Sequence, residues 1–147
     1  MPVNRVKNMY IHEIFEKVAE APTRKEKIEV LRTYNTRALR DVLKGSFDPA
    51  VKFNLPSGTP PYSEGSEENP GTTLRKQCKK FTYFVATASR PKATPKIENI
   101  FIQTLEGLHP KEAQILIWMK DKDLSGKYKG LTKKLTADAF PGLLSEE

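Results

Sequence analysis

The sequence has few of the residues and patterns that mark secreted, membrane-spanning or metal-binding proteins. It has one cysteine in 147 residues, Cys78, which can form neither an internal disulfide nor a CxxC zinc pair. It also lacks an apolar run of about 18 residues that could span a bilayer, and "MPVNRVKNMY" at the N-terminus lacks the apolar core of a secretion signal. These absences predict a soluble protein of the reducing cytoplasm that has no membrane partner.

Groups that commonly carry catalysis are also scarce. The imidazoles are His12 and His109, for which the helical pattern predicts surface or capping roles. Cys78 lies on the apolar face of a predicted helix and is interpreted as a core residue. Asp121 and Asp123 lie among lysines, which indicates charge balance more than a metal site. Because the chain has no P-loop, Rossmann glycine pattern or nucleophile elbow, we expect no catalytic residues, no metal and no cofactor.

Apolar residues repeat at helical spacing along most of the chain, and no segment alternates as a strand does. Residues 9–20 show one apolar face, and further faces follow capping signals. The predicted helix boundaries are a capping box at Thr23, a cap at Asn35 or Thr36, a stop at Gly45, caps at Thr94 and His109, and a last helix from about Thr132 to Ala139. The pattern predicts a single compact all-α domain, residues 1–147, of about seven helices.

One long segment, residues 46–73, interrupts the helical pattern. It is rich in proline and glycine and carries the acids Glu64, Glu67 and Glu68. A loop of this length is unusual inside one domain. We predict a long surface loop or a partly disordered crossover, with the acids solvated rather than bound to a metal.

Positive charge is concentrated in one part of the chain. The net charge is +7, and residues 74–96 contain seven basic residues and no acid, so this segment equals the whole excess. Its basic residues are Arg75, Lys76, Lys79, Lys80, Arg90, Lys92 and Lys96. Such a segment favours a polyanionic partner, although basic patches also occur without one.

A second basic stretch, "KDKDLSGKYKGLTKK", combines lysines with two glycine turns near the C-terminus. The turns at Ser125-Gly126 and Lys129-Gly130 lead into the helix that begins near Thr132. Glycine lets a backbone approach a phosphate closely, and the first turn of a helix exposes unpaired amides. The stretch therefore predicts contacts to a phosphodiester backbone without base reading. The alternative is that these lysines solvate a surface turn.

Aromatic residues near the basic segments fall mostly at core spacing. Phe81, Phe84 and Trp118 are interpreted as packing residues. Tyr83 and Tyr128 are the better candidates for exposed contact, such as stacking on bases beside phosphate contacts.

Both ends of the chain carry motifs that resemble a known family. The closing stretch "MKDKDLSGKYKGLTKKLTADAFPGLL" and the opening stretch "IHEIFEKVAEAPTRKEKIEVLRTYNTRALRDVLKGSFDPAVKF" are similar to the N-terminal helical DNA-binding domain of phage-type ATP-dependent DNA ligases. In that domain a small-residue-Gly turn leads into a short helix that ends in Phe/Trp-Pro-Gly-Leu. The matching positions are Met119, Asp123, Leu124, Gly126, Phe140, Pro141, Gly142 and Leu143. The resemblance covers nearly the whole chain and is weakest over residues 56–73. The chain also resembles small proteins of tailed phages of marine bacteria.

The chain departs from the ligase pattern in two places. It has no Lys-x-Asp-Gly box, the motif at which the ligase catalytic domain begins, so we expect no self-adenylation and no enzyme activity. The string "KYKG" after Gly126 makes that loop longer and more basic than in the ligases.

Together these features predict a non-enzymatic, largely sequence-independent DNA-binding module with a ligase-like helical fold. The resemblance implies contacts to the phosphate backbone and minor groove of duplex or nicked DNA, an accessory role in phage replication or repair, and a place in the bacterial host cytoplasm. The predicted contact residues are Arg75, Lys76, Lys79, Lys80, Lys120, Lys122, Ser125, Gly126, Lys127, Lys129, Gly130, Thr132, Lys133 and Lys134. The alternative is a protein-interaction module whose acidic loop orders on a host or phage replication, repair or transcription protein. The oligomeric state stays open.

Overall fold

The computed structural model describes residues 9–145 and is built from helices. In chain order these are α1 (Ile11–Glu20), α2 (Arg24–Thr33), α3 (Arg37–Phe47), α4 (Leu74–Gln77), a 3-10 turn (Cys78–Lys80), α5 (Phe81–Phe84), α6 (Pro95–Gly107), α7 (Pro110–Lys120) and α8 (Lys133–Ala139). Residues 74–84 run on without a break and are called the irregular helix here, which makes seven helices in the described part. That part contains no β-strand, only two isolated bridges. The fold is compact and all-α, which confirms the predicted fold class.

Threonine side chains begin many of the helices. The hydroxyl oxygen accepts a hydrogen bond from a backbone amide three residues on, at 3.1 to 3.3 Å, in Thr23, Thr36, Thr94 and Thr132. Helix α7 begins in a related way, because His109 Nδ1 accepts from the Lys111 amide at 3.0 Å. These bonds satisfy amides that have no partner inside the helix. The predicted caps at Thr23, Thr94, His109 and Thr132 are confirmed, and the choice between Asn35 and Thr36 is decided for Thr36. Of the capping box at Thr23, the described residues show the bond from the Glu26 amide to the Thr23 hydroxyl and not the return bond to the Glu26 carboxylate.

Helix α3 does not stop at Gly45, so that prediction is wrong. The helix continues to Phe47, and Gly45 lies within it. A Cβ at Gly45 would lie 2.8 Å from Met119 Sδ and 3.1 Å from Phe53 Cζ. Glycine is thus required for close packing against α7, and its ability to end a helix is not used here.

Helix α7 is the centre of the molecule. It packs against α1, α3 and α6, and it is buried nearly all round. Its buried apolar residues are Ala113, Ile115, Leu116, Ile117 and Met119. A helix with apolar residues on every side is stable only when other helices cover it. No helix among residues 9–145 is both long enough and apolar enough to cross a bilayer.

A buried carboxylate, Glu112, ties three parts of the chain together. It lies in the first turn of α7 and is 1% exposed. Its Oε2 accepts from the Ile11 amide at 2.9 Å, and its Oε1 accepts from the Leu74 amide at 3.1 Å. These amides belong to the first residues of α1 and α4, so Glu112 caps two helices from a third. Burial raises the pKa of this carboxyl, and the two amide bonds oppose that rise.

Two residues singled out for their reactivity are buried. His12 is 6% exposed, with its ring centroid 4.4 Å from that of His109 and its Nδ1 3.1 Å from Glu16 Oε2. The predicted surface or capping role of His12 is therefore wrong, because the ring packs inside. Cys78 is 7% exposed, and burial raises the pKa of its thiol, which confirms its interpretation as a core residue.

Residues 48–73 connect α3 to the irregular helix and contain no helix. Three backbone amides bind groups at the ends of α6 and α7 at 2.9 to 3.2 Å: Gly58 to the Asp121 carboxylate, Ser63 to the Glu106 carboxylate and Thr72 to the Gly107 carbonyl. The segment thus lies along these two helices.

The C-terminal Phe-Pro-Gly motif reverses the chain after α8. The Leu143 amide donates to the Phe140 carbonyl at 3.1 Å, and Gly142 has a positive φ of +87°. The turn lets Leu143 and Leu144 pack against the core. Beyond it, Ser145 Oγ donates to the Asp48 carboxylate at 3.2 Å.

Candidate nucleic-acid interface

The irregular helix separates apolar from basic side chains. Its buried residues are Leu74, Cys78, Phe81 and Phe84. The opposite side carries four of the predicted contact residues, which we call the mid-chain strip: Arg75, Lys76, Lys79 and Lys80. Lys76 and Lys79 are exposed, whereas Arg75 and Lys80 are partly buried. The structure therefore brings these four residues to the outside of one element, as the helical spacing predicted.

The lysines of the mid-chain strip pair with no carboxylate in the described part of the chain. Within residues 9–145, none of Lys76, Lys79 and Lys80 forms an ion pair. Residues 74–96 contain no Asp or Glu. Uncompensated cations on a common surface attract polyanions from solution.

Neighbouring elements hold the strip and extend it. Asn54 Nδ2 and an Arg90 guanidinium nitrogen donate to the Tyr83 carbonyl at 3.1 and 3.4 Å. The Glu112 carboxylate binds the amide of Leu74, the first residue of the irregular helix. These bonds place Arg90 beside the C-terminal end of the strip. The Tyr83 side chain at that end is 48% exposed.

The second predicted region is residues 120–134, and its part from 123 to 134 is called the C-terminal turn. Buried Leu124 and Leu131 anchor it, each 0% exposed. Gly126 and Gly130 have positive φ values of +88° and +79°, which let the chain reverse between the anchors. Lys127 and Lys129 are exposed between these glycines.

Part of the charge on the C-terminal turn is compensated. Lys127 Nζ lies 3.3 Å from the Asp123 carboxylate and 5.3 Å from the centroid of the Trp118 ring. On α8, Lys134 lies near Asp138, whose pKa is lowered chiefly by its hydrogen bond to Arg24. The C-terminal turn is therefore a weaker source of positive charge than the mid-chain strip.

Packing on α2 positions α8 and its lysines. Arg32 Nε donates to the Ala139 carbonyl at 2.9 Å, and Arg24 forms an ion pair with Asp138. Buried Leu135 and Thr136 face inward. The predicted residues Thr132, Lys133 and Lys134 lie on the exposed side.

Gly130 packs closely against a buried lysine. A Cβ there would lie 2.6 Å from Lys27 Cε. Lys27 is 9% exposed, and its Nζ donates to the Val18 and Ala21 carbonyls at 2.8 and 2.7 Å. The C-terminal turn therefore passes directly over the lysine that caps the end of α1.

Lys120 and Lys122 were predicted as contact residues, but their ammonium groups bind the protein's own backbone. Lys120 is 6% exposed, and its Nζ donates to the Pro56 and Gly58 carbonyls at 2.8 and 3.0 Å. Lys122 Nζ donates to the Gly45 and Asp48 carbonyls at 2.6 and 3.1 Å. The prediction is wrong for Lys120, because its buried ammonium group binds the protein's own carbonyls. Lys122 is exposed, and its contact role stays a prediction, although two bonds of its ammonium group already go to the backbone.

The two basic regions rest on different helices. The irregular helix packs on α3 and α6, whereas α8 packs on α2. The mid-chain strip and the C-terminal turn therefore rest on different parts of the fold.

Of the two tyrosines predicted to be exposed, only Tyr83 is. Tyr128 is partly buried, with its ring centroid 5.4 Å from that of Phe15 and 6.4 Å from that of Trp118. Burial raises the pKa of its hydroxyl to about 12. Tyr128 packs against the core, so its predicted contact role is wrong.

A small notch beside Tyr83 was not predicted from the sequence. It lies between the irregular helix and α6, has a volume of about 210 Å³, and is lined by Thr72, Gln77, Lys80, Tyr83, Ile100, Gln103 and Thr104. Lys80 and Tyr83 were predicted as contact residues, but the local pattern does not mark the other lining residues, because they come from two segments that meet only in the folded chain.

The structure offers no cluster for metal chemistry in its described part. Across residues 9–145, no group of three or more His, Cys, Asp or Glu side chains is arranged to hold a metal ion.

Comparison with known proteins places the chain in a family. No curated protein matches it. Residues 14–126 match the sequence profile of DUF6433, a span that reaches from α1 through the mid-chain strip to Gly126. The chain therefore belongs to DUF6433, a family of unknown function.

Proposed function

We propose that this protein is a non-enzymatic module that binds the phosphate backbone of DNA with little sequence preference. The observation that carries the proposal is the mid-chain strip, where Lys76, Lys79 and Lys80 share an outer surface and pair with no carboxylate in residues 9–145. A ligase-like arrangement of the helices and an accessory role in phage replication or repair belong to the same proposal.

Phosphate binding by such a strip follows from electrostatics. Each lysine that neutralises a phosphate of duplex DNA releases condensed counterions, so log affinity falls by about 0.9 per contact for each tenfold rise in salt. The strip extends towards Arg90, and exposed Lys92 and Lys96 follow in the same segment. Backbone contacts of this kind fix the position of a protein on DNA but carry no sequence information.

The lengths of the helices argue against reading bases in the major groove. The irregular helix has only four α-helical residues on either side of its 3-10 turn, and α8 has seven residues in all. A recognition helix needs several turns to lie in the major groove and present three or four side chains to base edges. The basic residues therefore favour contact with phosphates and the minor-groove edge.

The C-terminal turn supplies a second contact surface in this proposal. Exposed Lys127, Lys129 and Lys134 provide charge, and the exposed Ser125 and Gly126 let the DNA backbone come close to the protein backbone. Because Lys127 already pairs with Asp123, its removal should cost less affinity than removal of Lys76 or Lys79.

Charge-matched variants test the mid-chain strip. Lys76→Ala/Lys79→Ala removes two unpaired cations from the strip, and Lys17→Ala/Lys25→Ala removes two exposed cations from α1 and α2. Mobility-shift titrations with intact and nicked duplex at about 50 mM and about 200 mM salt give the slope of log affinity against log salt. The strip variant should reduce the magnitude of that slope by about 1.8, from about 0.9 per lost contact, whereas the control should leave it near the wild-type value.

Two outcomes would reject the proposal. One is the absence of any shift by the wild type at low salt. The other is an equal slope for the strip variant and its control, because binding would then reflect net charge and not this surface.

One observation favours the second candidate function, a protein-interaction module. An apolar cavity of about 350 Å³ lies between the proline-rich segment and α6, lined in part by Leu55, Pro60, Phe101 and Ile102. A wild type that fails to shift DNA at low salt would favour this alternative.

A further inference from the structure

The notch beside Tyr83 has the size of a site for one small planar group. Its volume of about 210 Å³ is below the roughly 300–1,000 Å³ of pockets for drug-sized ligands. It opens next to the mid-chain strip, because Lys80 belongs to both. Any group that enters it does so beside the cation that the proposed function assigns to phosphate.

The polar walls of the notch are side-chain amides and hydroxyls, and one of them has an unmet acceptor. Gln77 Nε2 donates to Thr72 Oγ1 at 2.8 Å, whereas Gln77 Oε1 is buried and has no hydrogen-bond partner in residues 9–145. On the α6 side, Thr104 Oγ1 donates to the Ile100 carbonyl at 2.7 Å and keeps a lone pair to accept with. Buried polar atoms normally have partners. Gln77 Oε1 has none in residues 9–145 but is closed off from the notch, so the Gln77 side chain must turn before its amide can bond to a group that enters there.

Tyr83 forms the aromatic wall. It is the large apolar side chain with the clearest exposure in the described chain, at 48%. An exposed aromatic ring next to lysines is the arrangement on which single-stranded binders stack bases. Gln103, which is exposed on α6, adds an amide that can both donate and accept.

We propose that the notch binds a single unpaired nucleobase of the bound DNA. The base stacks on the Tyr83 ring, its edge exchanges hydrogen bonds with the Gln77 and Gln103 amides, and Lys80 contacts the adjoining phosphate. The inference rests on the proposed function and adds the preferred structure: DNA with unpaired bases, as in a gap or a frayed end, binds more tightly than fully paired duplex.

The chemistry of the walls selects a base over other planar groups. A nucleobase has a face for stacking, an edge with both donors and acceptors, and a covalently linked phosphate. The notch offers an aromatic ring, amides that donate and accept, and a lysine. A free aromatic ring would leave the amides unmatched, and a bare phosphate would make no use of Tyr83.

An oligonucleotide series tests the inference. The wild-type protein is titrated with a fluorescent oligothymidylate, with an oligomer of the same length made only of abasic sites, and with intact duplex. Stacking of one base is worth about 1–3 kcal/mol, so the oligothymidylate should bind about 5- to 150-fold more tightly than the abasic oligomer. Tyr83→Ala should remove that difference, and Gln103→Ala should reduce it.

Two control variants separate the notch from the strip. Tyr83→Phe keeps the ring and should keep the preference for bases. Lys76→Ala should weaken binding to the oligothymidylate and the abasic oligomer by the same factor, because it removes only charge. Thermal unfolding of Tyr83→Ala close to that of Tyr83→Phe would show that the protein still folds.

The outcomes distinguish the inference from the function on which it rests. The wild type could bind the oligothymidylate and the abasic oligomer with equal affinity and still bind duplex in a salt-dependent way. That result would overturn the proposal that the notch binds a base and would leave the phosphate-binding proposal standing. If Tyr83→Ala loses as much affinity for duplex as for the oligothymidylate, the proposal that the notch binds a base is also overturned. No binding to any of the three probes overturns both.

Discussion

Replacement of Glu112 by alanine should lower the free energy of unfolding more than a typical surface substitution does. The first backbone amides of two helices depend on this carboxylate for a hydrogen-bond acceptor. The side chain is 1% exposed, and its oxygens accept from the Ile11 and Leu74 amides at 2.9 and 3.1 Å. Alanine leaves both amides buried without an acceptor. The Ile11 amide lies 101 residues from Glu112 in the chain and the Leu74 amide lies 38, so no neighbour of Glu112 in the sequence can replace the lost bonds.

The size of the effect follows from the cost of an unsatisfied donor. Each buried group left without a partner costs about 1–3 kcal/mol, which gives about 2–6 kcal/mol for two. Removal of the carboxylate also removes its own desolvation cost, so the lower part of that range is expected, about 2–4 kcal/mol. For a chain of this size, 1 kcal/mol shifts the melting temperature by about 2–4 °C, so Glu112→Ala should melt about 4–16 °C below the wild type.

Thermal and urea unfolding followed by circular dichroism measure this change. Glu106→Ala is the matched control, since Glu106 is exposed and accepts one backbone amide, that of Ser63, at 2.9 Å. Its melting temperature should stay within about 2 °C of the wild type, as expected for a surface change of about 0.5 kcal/mol. Glu112→Gln should lie between the two, because an amide oxygen can accept one of the two bonds while the amide nitrogen faces the other donor. A Glu112→Ala variant that melts with the Glu106→Ala control would refute the reasoning.

Further predictions concern pH, packing and thiol reactivity. Burial raises the folded pKa of Glu112 above its ordinary value of 4.5, so its contribution to stability is fully present below pH 4.5 and is lost as pH rises through the folded pKa. The free energy of unfolding of the wild type relative to Glu112→Gln should therefore fall as pH rises above 4.5, and a difference that stays flat with pH would contradict this. Gly45→Ala should lose about 1–3 kcal/mol in urea unfolding despite the better helix propensity of alanine, because its Cβ would lie 2.8 Å from Met119 Sδ; a stabilised variant would show that α3 and α7 can separate freely. Gly130→Ala should destabilise more than Gly126→Ala, since both have positive φ but only Gly130 lies against Lys27; equal melting temperatures would mean that Lys27 moves aside at no cost. Cys78 should react slowly with a thiol reagent in the native state and rapidly in denaturant, because it is 7% exposed and its thiol pKa is raised; fast labelling of the native protein would contradict its burial.

Much of the helical architecture could be predicted from local chemistry. Thr23, Thr36, Thr94 and Thr132 cap helices as their spacing indicated, since a cap depends on residues within three positions of one another. The separation of basic from apolar side chains on residues 74–84 was also predictable, because residues three or four positions apart lie on the same face of a helix.

The contact surface was harder to predict because a lysine looks the same in a sequence whether its ammonium group meets solvent or a carbonyl. Lys120 and Lys122 were assigned to the surface, yet both bind backbone carbonyls at least 62 residues away in the chain, such as those of Gly58 and Gly45. Tyr128 was mistaken for an exposed ring for the same reason, since Phe15 and Trp118 cover it only in the folded chain.

The sequence by itself determined the all-α class, the helix starts and the charge of residues 74–96, because each depends on neighbours within about two helical turns. Tertiary structure alone decided that Gly45 lies inside α3, that Glu112 caps α1 and α4, and that Gln77 and Gln103 meet beside Tyr83. These features depend on contacts between residues far apart in the chain, and such contacts exist only after the hydrophobic faces of the helices have packed together.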